Sequence, residues 1–126
     1  MTKYLVVQAS AAMFSTIEPA GWTVVFGVYV TDQAGKPVTG LKMKSFTVWE
    51  LTTIGEVDVA MTTEINLTFP TSKMPGVYRL QTKDLLGLQA PAPQQFVHAI
   101  RVGYTRSKID YQGITTTAVS YLGPMK

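Results

Sequence analysis

Ten residues at positions 22–31, WTVVFGVYVT, restrict this chain more than any other part of it. Trp22, Val24, Phe26, Val28 and Val30 fall on one side of an alternating pattern, with Thr23, Val25, Gly27, Tyr29 and Thr31 on the other. A period of two built from β-branched and aromatic residues is the pattern of a strand. A side that is large and apolar at every position has to be buried. Asp32-Gln33-Ala34-Gly35-Lys36-Pro37 follows, with an aspartate able to accept bonds from the backbone ahead of it and a glycine free to take positive φ. These residues predict a tight turn leading to a further strand at 45–51, where Phe46 and Val48 alternate with Thr47, Trp49 and Leu51.

The remaining segments read as strands laid beside that pair. Residues 3–10 alternate and are rich in Val and Leu, residues 56–69 hold one long or two short strands, and residues 76–82 form a short one with Tyr78 and Leu80 inward. Residues 96–104 and 113–122 read as the arms of a C-terminal hairpin around 105–112. Residues 11–21, with Pro19 and Gly21 and a short extended piece around Phe14–Ile17, and residues 83–95, with Gly87, Pro91 and Pro93, read as connections. No window has a 3.6-residue period. The expectation is therefore an all-β, two-sheet sandwich of about seven or eight antiparallel strands, with residues 1–126 forming a single domain.

Composition narrows what such a domain can do. Charged residues make up 15% of the chain, well below the roughly 25% usual in soluble domains, so the surface is poor in charge and part of it is expected to be covered by a partner. The net charge of +3 comes from scattered lysines and arginines, densest at Lys36, Lys42 and Lys44. Without a basic stripe interleaved with aromatics, no nucleic-acid partner is expected. The absence of cysteine excludes disulfides, thiol nucleophiles and cysteine-bound metals. The N-terminal MTKYLVVQASAA imitates a signal peptide, but its apolar core at 4–7 is shorter than the roughly 7–15 residues such a segment needs. No apolar run approaches the roughly 20 residues of a spanning helix, so membrane insertion is not expected. The compartment stays open.

Two segments carry a resemblance. Residues 28–49, VYVTDQAGKPVTGLKMKSFTVW, are similar to the V-x-D-x-x-G-x-P-V-x-G-L…F-x-V pattern of bacterial immunoglobulin-like and related Greek-key sandwich domains. Pro75-Gly76-Val77-Tyr78-Arg79-Leu80 resembles the G-x-Y-x-L/C strand of immunoglobulin and fibronectin-like domains. In those domains the tyrosine forms a corner by bonding its hydroxyl back to the chain. The resemblance implies an immunoglobulin-like sandwich and no particular activity. The D-x-x-G-x-P phrase also opens transthyretin-like hydrolases, but the early histidine and the Tyr-Arg-Gly-Ser ending of those enzymes have no counterpart here.

Catalytic chemistry finds little to work with. His98 is the one histidine, sharing a strand face with Phe96 and Ile100, and reads as a core or edge residue before it reads as a base. Glu56 and Asp58 are the closest acidic pair and could help to hold Ca²⁺, although a solvated strand face accounts for them more simply. Asn66-Leu67-Thr68 is a glycosylation sequon by pattern. No cofactor and no metal are expected, and the chain reads as a non-enzyme.

The aromatic and uncharged residues offer more. Trp49, Tyr29, Tyr104, Tyr111 and Tyr121 could stack sugar rings if they stand on outer faces, whereas Trp49 could equally be the inner tryptophan of an immunoglobulin-like core. The run Ile114-Thr115-Thr116-Thr117-Ala118-Val119 has no charge and would be adhesive as an open edge. The expected partner is therefore a protein or a second copy, with carbohydrate as the alternative. Contacts are expected through Trp49, Tyr104, Tyr111, Ile114, Thr116 and Ala118. A structural or assembly subunit is the leading reading, a carbohydrate-binding module the second and a small hydrolase centred on His98 the third.

Overall fold

The structure, a computed structural model, describes residues 1–16, 21–51, 55–57, 59–61, 74–82 and 94–121. Among them run nine strands: β1 (Thr2–Tyr4), β2 (Val6–Thr16), β3 (Gly21–Thr31), β4 (Phe46–Glu50), β5 (Gly55–Val57), β6 (Val59–Met61), β7 (Val77–Thr82), β8 (Gln94–Arg106) and β9 (Ile109–Tyr121). The helical content of the described residues is one 3₁₀ turn, Met43–Ser45. The strands form a five-stranded sheet in the order β1-β9-β8-β4-β5 and a four-stranded sheet in the order β2-β3-β7-β6. The chain is an all-β sandwich. Every pairing is antiparallel except that of β1 with β9.

The inner side of β3 forms the middle of the core, as its alternation required. Val24, Phe26, Val28 and Val30 have no exposed surface, and Trp22 packs half-buried against them. Phe46, Val48, Ile100 and Val102 face them from the other sheet, with Leu80 beside Phe26 on β7. Fully burying each such side chain contributes about 1.5–3 kcal/mol. The turn after β3 has the chemistry its residues implied. Asp32 Oδ1 accepts bonds from the backbone N–H of Ala34 and of Lys36, both at 2.9 Å, and Gly35 takes φ +85°.

Tyr78 ties the sheets' connections together. Its hydroxyl donates to the Val38 carbonyl at 2.7 Å and accepts from the Leu41 N–H at 3.2 Å, while its ring tilts against Phe46 at 5.2 Å between centroids. The bond runs from β7 to the β3–β4 connection, 40 residues upstream.

The N-terminal run changes sheets at Leu5. β1 pairs with Asp110–Gln112 of β9, the Leu5 N–H donates to the Gln112 carbonyl at 2.8 Å, and from Val6 onward the chain pairs with β3. The crossing brings Leu5 and Val7 so close to β9 that a Cβ at Gly113 would lie 2.8 Å from the Leu5 carbonyl oxygen and 2.7 Å from Val7 Cγ2. β5 and β6, one position apart, also belong to different sheets.

Several segment boundaries differ from the sequence reading, beginning with the strand expected at 3–10, which is divided at Leu5 between the two sheets. Residues 11–16 continue β2 instead of starting a connection, because the long β3 offers a partner at every position down to Gly21. The C-terminal hairpin turns at Ser107 and Lys108 alone, not over residues 105–112. Both residues adopt left-handed φ, 53° and 65°, as a two-residue turn between twisted strands demands. Without a glycine there, nothing marked the turn. Of the connection expected at 83–95, residues 94–95 instead open β8, while residues 83–93, the strand residues at 62–69 and the sequon at Asn66 lie outside the described residues.

Two substitutions test these contacts by urea unfolding. Gly113→Val should lower stability by about 1–3 kcal/mol through overpacking at the crossing. Tyr78→Phe should cost about 1–2 kcal/mol, having removed the hydroxyl that satisfies Val38 and Leu41. An unchanged midpoint in either variant would mean that the contact holds nothing.

Candidate functional site: the outer face of the five-stranded sheet

Because side chains alternate along a strand, burying Phe96, His98, Ile100 and Val102 turns Val97, Ala99, Arg101 and Gly103 outward on β8. The registers place Ile114, Thr116 and Ala118 of β9 beside Arg101, Ala99 and Val97 on this outer face. On the other side Trp49 stands opposite Ala99 and Thr47 opposite Arg101. Tyr4 joins them through the pairing of β1 with Gln112.

Large apolar surface remains on this face. Ile114 is 64% exposed, Tyr4 59% and Leu51, just past the end of β4, 56%. Trp49 is half-buried and covers the small, buried Ala99. Phe46, Val48 and Glu50 take the inner side of β4, so the inner position considered for Trp49 is not the one it occupies. Of the six expected contact residues, Trp49, Ile114, Thr116 and Ala118 are thus brought onto one surface.

Tyr104 and Tyr111 are not part of it. They pair across β8 and β9 on the inner side, stacked at 4.8 Å between centroids and 12° between planes, and pack against the core. Arg106 caps the pair, with its guanidinium 5.4 Å from the centre of the Tyr104 ring. Burial pushes the Tyr104 phenol above its usual value against the opposing pull of Arg106. Tyr29 is exposed on the outer side of the other sheet. The side chain of Tyr121 and the whole of Asp58 lie outside what is described.

The sequence reading missed Tyr4, Leu51 and Arg101 as members of the outer face. The parity of β8 was enough to place Arg101 there. Tyr4 needed the parallel β1–β9 pairing, which no local pattern announces.

The free edge of β9 takes in the whole uncharged run 114–119. β9 lies between β8 and β1, but β1 covers it only at Asp110–Gln112. Beyond Gln112, no strand among the described residues pairs with that edge.

His98 has a different setting. It stands in register with Glu50 on β4 and Thr117 on β9, facing inward, with its ring edge-on to Phe26 at 4.9 Å. His98 and Glu50 are each only 2% exposed, and His98 Nδ1 has no hydrogen-bond partner among the described residues. Burial holds the imidazole below the ordinary value of 6.5, opposed by the Glu50 carboxylate. The pair lies on the inner side of the five-stranded sheet. Among the described residues no group of three or more His, Asp or Glu side chains could hold a metal ion, and no helix is long and apolar enough to cross a membrane.

A depressed histidine value in the folded state means that the unfolded chain binds the proton more readily. His98 therefore supports stability above the unfolded value of 6.5, and that support is lost as pH falls through 6.5 toward the folded value. Urea midpoints measured from about pH 8 to about pH 5 should fall for the native sequence. The fall should be shallower in His98→Phe, which lacks the imidazole. Parallel pH profiles for the two proteins would show that His98 keeps its ordinary value.

No protein-family model, curated protein or solved structure matches the chain.

Proposed function

We propose that this chain is an immunoglobulin-like sandwich without catalytic activity of its own, working by protein–protein contact as a structural or assembly subunit. The strand order supports the immunoglobulin-like part. With β2 to β9 taken as A, B, C, C′, D, E, F and G, one sheet reads A-B-E-D and the other G-F-C-C′ with β1 added beside G, an order like that of immunoglobulin domains. Two details depart from the antibody pattern. The tryptophan of β4 points outward instead of into the core, and Tyr78 stands on β7, in the place of strand E, instead of on strand F.

One observation carries the contact reading: Ile114, Tyr4 and Trp49 stand on the outer face of the five-stranded sheet with Arg101 among them, Glu56 being in register with Trp49 and Asp110 two positions before Gln112 on β9. An outward sheet face normally alternates with the core in polarity. Large exposed apolar side chains gathered on such a face point to an interaction surface.

Light scattering after size-exclusion chromatography, over a wide concentration range, tests the reading. The native chain should gain mass with concentration. Ile114→Glu should shift that transition by at least about tenfold, a loss of about 1.4 kcal/mol. A native chain that stays monomeric throughout, or an assembly indifferent to Ile114→Glu, would overturn contact between copies through this face.

The half-exposed Trp49 on an open sheet face supports carbohydrate binding as a second reading. Affinity for an immobilised glycan that disappears in Trp49→Ala, with unchanged circular dichroism, would favour it. Glycan binding that survives this substitution would count against it.

A further inference from the structure

Arg101 is not placed as a solubilising charge usually is. A Cβ at Gly103 would lie 3.2–3.4 Å from its guanidinium atoms, so the group lies over the bare backbone of Gly103. Its Nη2 donates to Gln112 Oε1 at 3.4 Å. Among the described residues no carboxylate pairs with it. Beside it opens a groove of about 410 Å³, walled by Tyr4 and Ile114 and floored by Leu5 and Gly113. A planar cation seated over Gly103, next to an apolar groove and with no carboxylate paired to it among the described residues, is complementary to a carboxylate carried on an apolar group. The two oxygens of a carboxylate meet the guanidinium fork while the apolar part lies against the side walls.

We infer that the outer-face groove at Arg101 receives a carboxylate from a partner protein, one attached to or flanked by an aromatic or aliphatic side chain. The inference rests on the contact reading above and specifies the partner's chemistry.

N-acetyl-phenylalanine and its amide, which differ in the carboxylate, are suitable probes. They would be titrated into isotope-labelled protein while the Ile114 methyl and Arg101 Nε–H signals are followed by NMR, with glucuronate as a sugar carboxylate in a third arm. The acid should shift both signals saturably and bind at least about tenfold more tightly than the amide. Arg101→Gln should abolish that preference. Arg101→Lys should retain part of it, because the charge remains and the fork is lost. Arg101 is exposed, so both variants should keep the native spectrum elsewhere.

Equal binding of acid and amide, or a preference that survives Arg101→Gln, would overturn the site. Glucuronate binding without N-acetyl-phenylalanine binding would overturn the protein partner. These outcomes are independent of the light-scattering experiment. An Ile114-dependent assembly that ignores both probes removes the carboxylate site and leaves the contact reading. Probe binding by a chain that never associates does the reverse.

Discussion

The close approach of Leu5 and Val7 to Gly113 is the contact on which the rest of the arrangement depends. An N-terminal run can serve two sheets only if it crosses between them, and crossing requires the strand it passes to offer no side chain at that point. Gly113 offers none. With the crossing in place, Val7 enters the core, β2 continues as the partner of β3, and β1 is held parallel to β9. The last consequence reaches the surface, because Tyr4 then stands beside Gln112 and forms one wall of the groove at Arg101. A packing constraint between the sheets thus determines what a partner meets outside.

The outer face has its own logic. Four buried positions on β8 account for the core and leave the outward positions free of any demand from folding. Polar residues at those positions would have been neutral to stability and better for solubility. The chain instead carries Val97, Ala99 and Gly103 there, with Trp49 and Ile114 on the strands to either side. Small residues along the central strand and large ones beside it make a shallow trough. Arg101 crosses its floor, supported by Gly103 and Gln112. Free rotation of a long cation would lose entropy on binding, and this seating removes part of that cost beforehand.

Much of the architecture was legible in the residues. The alternation at 22–31 identified the inner side of β3, the Asp32–Gly35 chemistry identified its turn, and two arms of a C-terminal hairpin were evident. What escaped was decided at a distance. Residues 11–16 have no strong pattern of their own and become strand because β3 extends alongside them. Ser107 and Lys108 bear no turn signature, and the strands on either side force them into left-handed φ. Trp49 was ambiguous for a more instructive reason. Reading Phe46 and Val48 as inner residues also sends Glu50 inward, which a sequence argument resists because an isolated buried carboxylate is costly. The resolution lies 48 positions away, in the register that sets His98 opposite Glu50. Of the six expected contact residues, the four on outward positions came together, while both tyrosines went to the inner side, where each found the other.

Glu50 and His98 also show why β8 cannot slip. A shift of one residue would exchange its two faces, taking His98 away from Glu50 and driving Arg101 between the sheets, where Phe26 and Val48 leave it no partner. Apolar strands tolerate such slips when either face can serve as core, and the outward Val97 and Ala99 make β8 vulnerable to that error. An inward pair of ionisable groups and a single outward cation remove the ambiguity. A polar pair buried at one register position trades some stability for a unique register, a use well attested for buried polar groups. On this reading the apolar outer face is possible because the charges on β4 and β8 discriminate inside from outside where hydrophobicity does not. A surface can be made adhesive for a partner only if the fold has another means of knowing which side is the core.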